Sequence, residues 1–374
     1  MKIQKTWPLL LVSIFLAAPA AVQAQVYCKY TTNGSVVTLY KYTNHVGAGA
    51  VTVSNFVDAI ASDAFLSATY VTGITLPSSV TNIGSYAFSG CTGLTSASIA
   101  GSANIGLQAF YNDSALTSLT LTAVTNIGGY AFENCSSLTT VTLPSTLASL
   151  GASNENAFDG CADLTAINVA AGNPYFTSSN GVVFNSNLTT LIEFPCGLGG
   201  TYRIPSTVTT IASEAFGQNF VVTNITIPNS VTNIQNIAFD NCTSLLKANF
   251  MGNAPVNDGS IFTGDSLTVY YMTNASGWSN PWDGQVALPW NMTLKLNALK
   301  FPTQTNWIGF TITGPTNFNA VVQVCTNLHT QVWTPISTNL LTNAPTATNG
   351  TGYFSELGKT NVYWAGRFYS VYPQ

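Results

Sequence analysis

The sequence predicts a mainly β fold, a solenoid of short parallel strands followed by a small β-sandwich domain, on three observations. The first is a fixed period. A phenylalanine, usually preceded by alanine, recurs as Phe65, Phe88, Phe110, Phe132, Phe158, Phe216, Phe239 and Phe262, in steps of 23, 22, 22, 26, 58, 23 and 23 residues. The second is the apolar spacing inside each unit, L-x-x-L-x-L, as in Leu116, Leu119 and Leu121. The third is the loss of that period after Trp290, where β-rich alternation replaces it. A period in the low twenties with this spacing marks a leucine-rich solenoid, in which each unit buries its apolar face only by stacking on the next.

The N-terminus reads as an export signal over residues 1–24. Lys2 and Lys5 precede an apolar run from Leu9 to Leu16, and Val22-Gln23-Ala24 supplies small residues at a cleavage site. No later stretch reaches the roughly 18 apolar residues that span a bilayer. The expected protein is therefore secreted or held at the cell surface, without a transmembrane helix. Residues 25–55, including the alternating Ser35 to Tyr40, predict a β-hairpin that caps the first coil against water.

The repeats run over residues 56–289. Each coil offers one strand, such as Val71-x-x-Ile74-x-Leu76 or Leu138-x-x-Val141-x-Leu143, whose apolar residues point inward. Pro77, Pro144 and Pro228 follow three of these strands directly, where a missing N–H ends the ladder. A second apolar pair comes next, for example Val124 and Ile127, and the repeat phenylalanine closes the coil as part of a stacked aromatic spine. The 58-residue step predicts one enlarged coil at about residues 170–205. Residues 290–374 hold six alternating stretches separated by Gly, Asn, Pro and Thr, which predict the small β-sandwich.

The order Leu138-Thr139-x-Val141-x-Leu143-Pro144, continued by Val80-Thr81-x-Ile83-Gly84-x-x-Ala87-Phe88-x-Gly90-Cys91-Thr92-x-Leu94, resembles the BspA-like leucine-rich repeat proteins of bacterial surfaces. Asn173-Pro174-Tyr175-Phe176 with Asn180-Gly181-Val182-Val183-Phe184 resembles an insert of the same family, and Phe250 to Pro255 with Val269-Tyr270-Tyr271 resembles the segment that ends its repeats. The resemblance implies a non-enzymatic protein that mediates protein–protein or adhesive contacts, with a carbohydrate-binding scaffold as the alternative. It names no ligand.

Composition agrees with a neutral partner. Only 6% of residues are charged, against roughly a quarter in an average soluble domain. Between Tyr42 and Leu246 the one cation is Arg203, against ten carboxylates, which excludes nucleic acid or an anionic membrane as partner of the repeats. A monomer is expected, and no cofactor.

Catalytic chemistry finds few candidates. The only histidines, His45 and His329, lie in the cap and in the C-terminal module, too far apart in the chain to share a nucleophile. Glu133, Asp159 and Asp240 each follow a repeat phenylalanine and predict a solvated ridge. Cys91, Cys135, Cys161 and Cys242, each three residues after a repeat phenylalanine, predict a column of buried thiols. Stacked coils hold parallel Cβ vectors about 4.8 Å apart, a poor disulfide geometry. No Cys/His cluster suggests a metal.

The candidate ligand-binding residues are Thr75, Ser98, Thr120, Thr142, Asn168, Thr226 and Asn249, which fall in register between the last two core residues of their strands. Thr95, Thr117, Thr139, Thr165 and Thr223 form another column. These positions are expected on the open side of the sheet. Two readings stand: threonine as a soluble β-former bonding across rungs, or a hydroxyl surface about 45 Å long that meets a partner. Trp278, Trp282 and Trp290 predict an aromatic group over the open end of the solenoid.

Overall fold

The computed structural model describes residues 28–43, 49–151, 155–257 and 259–290, and six strands between Thr293 and Pro373. Residues 1–27, with the signal segment, lie outside the described residues, as do His45 and His329. Among the described residues there is no helix.

A coil begins with a four-residue strand because its alternating side chains can divide between core and solvent. In Gly73–Leu76, Ile74 and Leu76 are buried and Thr75 is exposed. Ala50–Thr52, Gly73–Leu76, Ser96–Ile99 and Ser118–Leu121 form one parallel sheet. Thr140–Leu143 pairs with Ala166–Val169, and a five-stranded sheet runs from Gly200–Arg203 to Val286–Trp290. Proline ends the strand as expected and makes a turn with its carbonyl, which accepts from the N–H three residues on: Val80 to Pro77, Leu147 to Pro144 and Val231 to Pro228, each at 3.1 Å.

The second apolar pair enters a two-residue strand that stacks into a second sheet, as Asn82–Ile83, Asn104–Ile105 and Asn126–Ile127 do. Glycine follows the isoleucine because coils meet there. A Cβ on Gly106 would lie 2.7 Å from the Ser85 nitrogen. The chain then turns around the buried phenylalanine between two left-handed residues, for example Gln108 (φ 51°) and Asn112 (φ 59°) around Phe110. Nothing in the residue types at these posts, Tyr86, Gln108, Tyr130, Glu214 and Ile237, announces positive φ.

The rings stack as a spine. Phe65, Phe88, Phe110, Phe132 and Phe158 follow one another at 4.7 to 5.2 Å between centroids. Tyr42 extends the spine at its N-terminal end, 4.9 Å from Phe65, and belongs to the hairpin Cys28–Asn33/Val36–Tyr42. That hairpin joins the second sheet through Thr38 and Leu39, which pair with Ala59 and Ile60.

The 58-residue step holds two coils, which corrects the expectation of one. Phe194 stacks on Phe216 at 4.6 Å, and its N–H donates to Ala215 at 2.7 Å, the bond that Phe88 makes to Ala109. Only the first of the two coils is enlarged. Its extra length is the hairpin Phe176–Ser179/Val182–Asn185, extended antiparallel by Thr190–Glu193. Asn180 and Gly181 make the turn with φ of 52° and 80°, and a Cβ on Gly181 would lie 2.8 Å from Ala166 Cβ. Phe194 escaped the sequence reading because no alanine precedes it.

Two buried clusters result, one from Leu39 to Val183 and one from Val182 to Ala287. Trp282 closes the second beneath Phe250 and Phe262, and Trp278 stacks on Tyr271 at 5.0 Å. Trp290 does not join them. It ends its strand outside both clusters, with its ring 6.2 Å from Tyr270. Past it, six strands form two three-stranded antiparallel sheets. The face-to-face contact a β-sandwich needs would rest on side chains outside the described residues.

Candidate functional site

The pleat of each face strand sends its second-from-last side chain away from the core, and parallel pairing stacks those side chains. Thr52, Thr75, Ser98 and Thr120 stand in register, as do Thr142 with Asn168 and Arg203 with Thr226, Asn249, Tyr270 and Leu288. The predicted column therefore exists, but it is not uniform. Thr75, Thr120, Thr142 and Asn168 are exposed and Ser98 is half-buried. Thr226 and Asn249 are buried, at 2% and 0% exposure, which removes both from the open surface. These two short side chains sit between the long Arg203 and Tyr270 in the same register, and the Asn249 amide donates to Asn224 Oδ1 at 2.7 Å. The available row thus spans six rungs from Thr52 to Asn168, about 24 Å in place of 45 Å.

The two threonine columns differ in their bonding. Thr95 Oγ1 donates to the Thr72 carbonyl at 2.8 Å, Thr117 to Thr95 at 3.1 Å, Thr165 to Thr139 at 3.3 Å and Thr223 to Gly200 at 3.1 Å. Each bond ties a coil to the one before it, a scaffold role. Among the described residues, no intramolecular hydrogen bond engages the side chains of Thr75, Ser98, Thr120, Thr142 or Asn168. Ser96, Ser118 and Thr140, two residues earlier on the same face, are exposed and widen that row.

Of the three acids expected on a solvated ridge, Glu133 and Asp240 are half-buried and Asp159 is withdrawn from solvent, with Glu214 buried beside it. Asp159 is 6% exposed and Glu214 is 8% exposed. Burial, then the charges of Glu214, Glu133 and Asp240, push Asp159 up to about 7, while the Gln218 amide opposes the shift. Burial raises Glu214 as well, against hydrogen bonds from the Asn156 N–H and the Tyr130 hydroxyl, both at 2.9 Å. Glu193, buried under the same turn, is pushed up to about 8 by desolvation. Among the described residues, no group of three or more His, Cys, Asp or Glu side chains is placed to hold a metal ion. The cysteine column holds free thiols, each buried, including Cys135 and Cys161.

A family model, the BspA type leucine rich repeat region, matches six copies in this chain at residues 58–182 and 196–276. Solved structures of leucine-rich repeat proteins are similar to part of the chain. A leucine-rich repeat protein from Eubacterium ventriosum is 21% identical, with a TM-score of 0.48 over 68% of this chain and 72% of that one. The pneumococcal vaccine antigen PcpA is 19% identical, with a TM-score of 0.46 over 70% and 84%. A leucine-rich repeat protein from Bacteroides ovatus is 24% identical, with a TM-score of 0.45 over 66% and 70%. No curated protein matches the chain.

Proposed function

The chain belongs to the BspA-type leucine-rich repeat family, and on that premise we propose that it is a secreted or cell-surface, non-enzymatic protein that uses its open face in adhesive contact with a protein partner. The row Thr75, Ser98, Thr120, Thr142 and Asn168 carries this reading. It presents unengaged hydroxyl and amide groups in register on two successive parallel sheets, and the column beside it spends its hydroxyls on the scaffold. Such a face meets an uncharged surface through hydrogen bonds, without steering by charge. Export rests on the segment before Gln25. The glycan alternative needs accessible tryptophan faces, and the burial of Trp282 and Trp290 weighs against it.

The test is a binding screen of the mature chain, residues 25–374, against immobilised matrix proteins and a glycan array, with a Thr120→Lys/Thr142→Lys variant alongside. Both substitutions fall on exposed strand positions, so folding is retained. A protein ligand bound by the parent and lost by the variant supports the proposal. Equal binding by the two removes the face from consideration.

A further inference from the structure

The solenoid is joined in its middle through side chains where most coils use backbone; among the described residues one other repeat phenylalanine, Phe262, also donates to a side chain, Asp283 Oδ2 at 3.0 Å. On ordinary coils the phenylalanine N–H donates to the alanine carbonyl one coil on, as Phe65 does to Ala87 at 2.7 Å and Phe110 to Ala131 at 2.8 Å. The residue two places earlier donates likewise, as Tyr86 does to Leu107 at 3.0 Å. At Phe158 side chains take over both bonds. Its N–H donates to Asn156 Oδ1 at 2.8 Å, and the Asn156 N–H donates to Glu214 Oε2 at 2.9 Å.

Glu214 lies two coils further on, beside Phe216. Its Oε1 also accepts from the Tyr130 hydroxyl at 2.9 Å, and its backbone carbonyl accepts from the Asn156 amide at 3.2 Å. Gln218 binds Asp159 across the same gap. Both parallel ladders break here, the face ladder for the second time after the gap between Ser118–Leu121 and Thr140–Leu143. One sheet ends at Ser149–Leu150 and the other at Ala166–Val169, and new sheets begin beyond the break. The two buried clusters divide at this point.

We propose that this junction is a pH-sensitive joint between two solenoid blocks, closed while Asp159 and Glu193 hold protons and loosened when they release them. The charged groups that act on Asp159 are Glu214, Glu133 and Asp240, those on Glu214 are Asp240 and Glu155, and Glu193 faces Asp159. All are acids. Tyr130, Asn156, Gln218 and the Phe158 backbone supply the hydrogen-bond donors, and among the described residues no cation acts on any of the three.

The sign follows from burial, the largest cause in each case, which raises all three carboxyls in the closed joint. Opening returns them to water and to the ordinary carboxylate range, so opening releases protons. The closing free energy is present in full below that range and is lost as pH rises toward about 7 to 8. Each linked proton multiplies the opening equilibrium by up to about tenfold per pH unit. The open-face row is interrupted at the same place, between Asn168 and Arg203, so loosening the joint changes how the two halves of that face are presented.

The experiment is hydrogen exchange on the full chain at about pH 5 and about pH 8, corrected for intrinsic rates, comparing residues 155–167 with residues 59–68. Protection in 155–167 is expected to fall at least about tenfold with rising pH while 59–68 holds. Glu193→Gln and Asp159→Asn, which keep the side-chain shape, are each expected to remove much of that fall. Equal protection at both pH values overturns the proposal, as does a fall that persists in both variants. The readout is local opening and does not depend on any ligand of the threonine row.

Discussion

The backbone N–H of Cys91 donates to Asp113 Oδ1 at 2.7 Å, which sets a buried carboxyl in a column that neighbouring coils fill with thiols. Cys91, Cys135, Cys161 and Cys242 each donate their thiol to the phenylalanine carbonyl one coil earlier, at 3.0 to 3.2 Å. Asp113 is fully buried and its Oδ2 has no partner. Desolvation pushes it up to about 8, opposed by the Cys91 N–H.

Asp113→Cys is therefore expected to stabilise the chain, by about 1 to 3 kcal/mol near neutral pH, by removing an unsatisfied buried group. For an acid raised in the folded state, stability is greatest below its ordinary range and is lost as pH rises through about 8. The gain should therefore be larger at about pH 8 than at about pH 5. Urea denaturation at both values checks this, and a gain independent of pH would contradict it.

Phe132→Ala should cost about 3 to 5 kcal/mol. The ring is fully buried and stacks at 5.1 Å on Phe110 and 5.2 Å on Phe158, so no neighbour can relax into the gap without breaking its own stack. Thermal unfolding measures the loss. A cost below about 1 kcal/mol would mean that the spine is not continuous packing.

Thr117→Val and Thr120→Val separate the two threonine columns. The first removes a hydroxyl bonded to the Thr95 carbonyl and should lose about 0.5 to 1.5 kcal/mol. The second removes a hydroxyl with no intramolecular bond from an exposed strand position, and valine suits the strand equally well, so stability should stay within about 0.5 kcal/mol. Equal costs in denaturant titrations would refute the division of labour between the columns.

Asn219→Ala should rank among the costliest polar truncations, at about 3 kcal/mol. The side chain is fully buried and makes four bonds: its amide to the Pro195 and Leu198 carbonyls at 2.8 and 3.0 Å, its Oδ1 to the Val221 and Val222 N–H at 3.0 and 2.7 Å. Asn173 repeats the arrangement on the turn at Pro144 and Leu147, partly in solvent. Asn173→Ala should accordingly cost less, and equal losses in denaturation would set aside burial as the cause.

Much of the scaffold was legible in the residues because a repeat prints its own packing. Phe65 to Phe158, the prolines after the strands and the cysteine column each recur at the period of the coil, and each forms the contact that its spacing implies. Where the repeat pauses, legibility fails. Phe194 carries no alanine before it, and its place in the spine shows only from the ring it stacks on. The first post, Gln108, takes positive φ because the turn around Phe110 requires it, whereas the second, Asn112, falls at a position that other coils fill with Asn or Gly, as at Gly90, Asn134 and Asn241.

The candidate site divides the same way. By itself the sequence determined that Thr75, Ser98, Thr120, Thr142, Asn168, Thr226 and Asn249 share one register, because strand alternation is a local property of the backbone. Only the tertiary structure decided which of them reach solvent. Exposure depends on what stands beside a side chain in space: Thr226 and Asn249 are buried in the rungs between Arg203 and Tyr270, and the Asn249 amide is engaged by Asn224. The same reason governs the acids. Spacing placed Glu133, Asp159 and Asp240 on one edge, but the enlarged coil brought Glu214 from 58 residues beyond Asn156 onto that edge, where burial and the neighbouring acids raise Asp159.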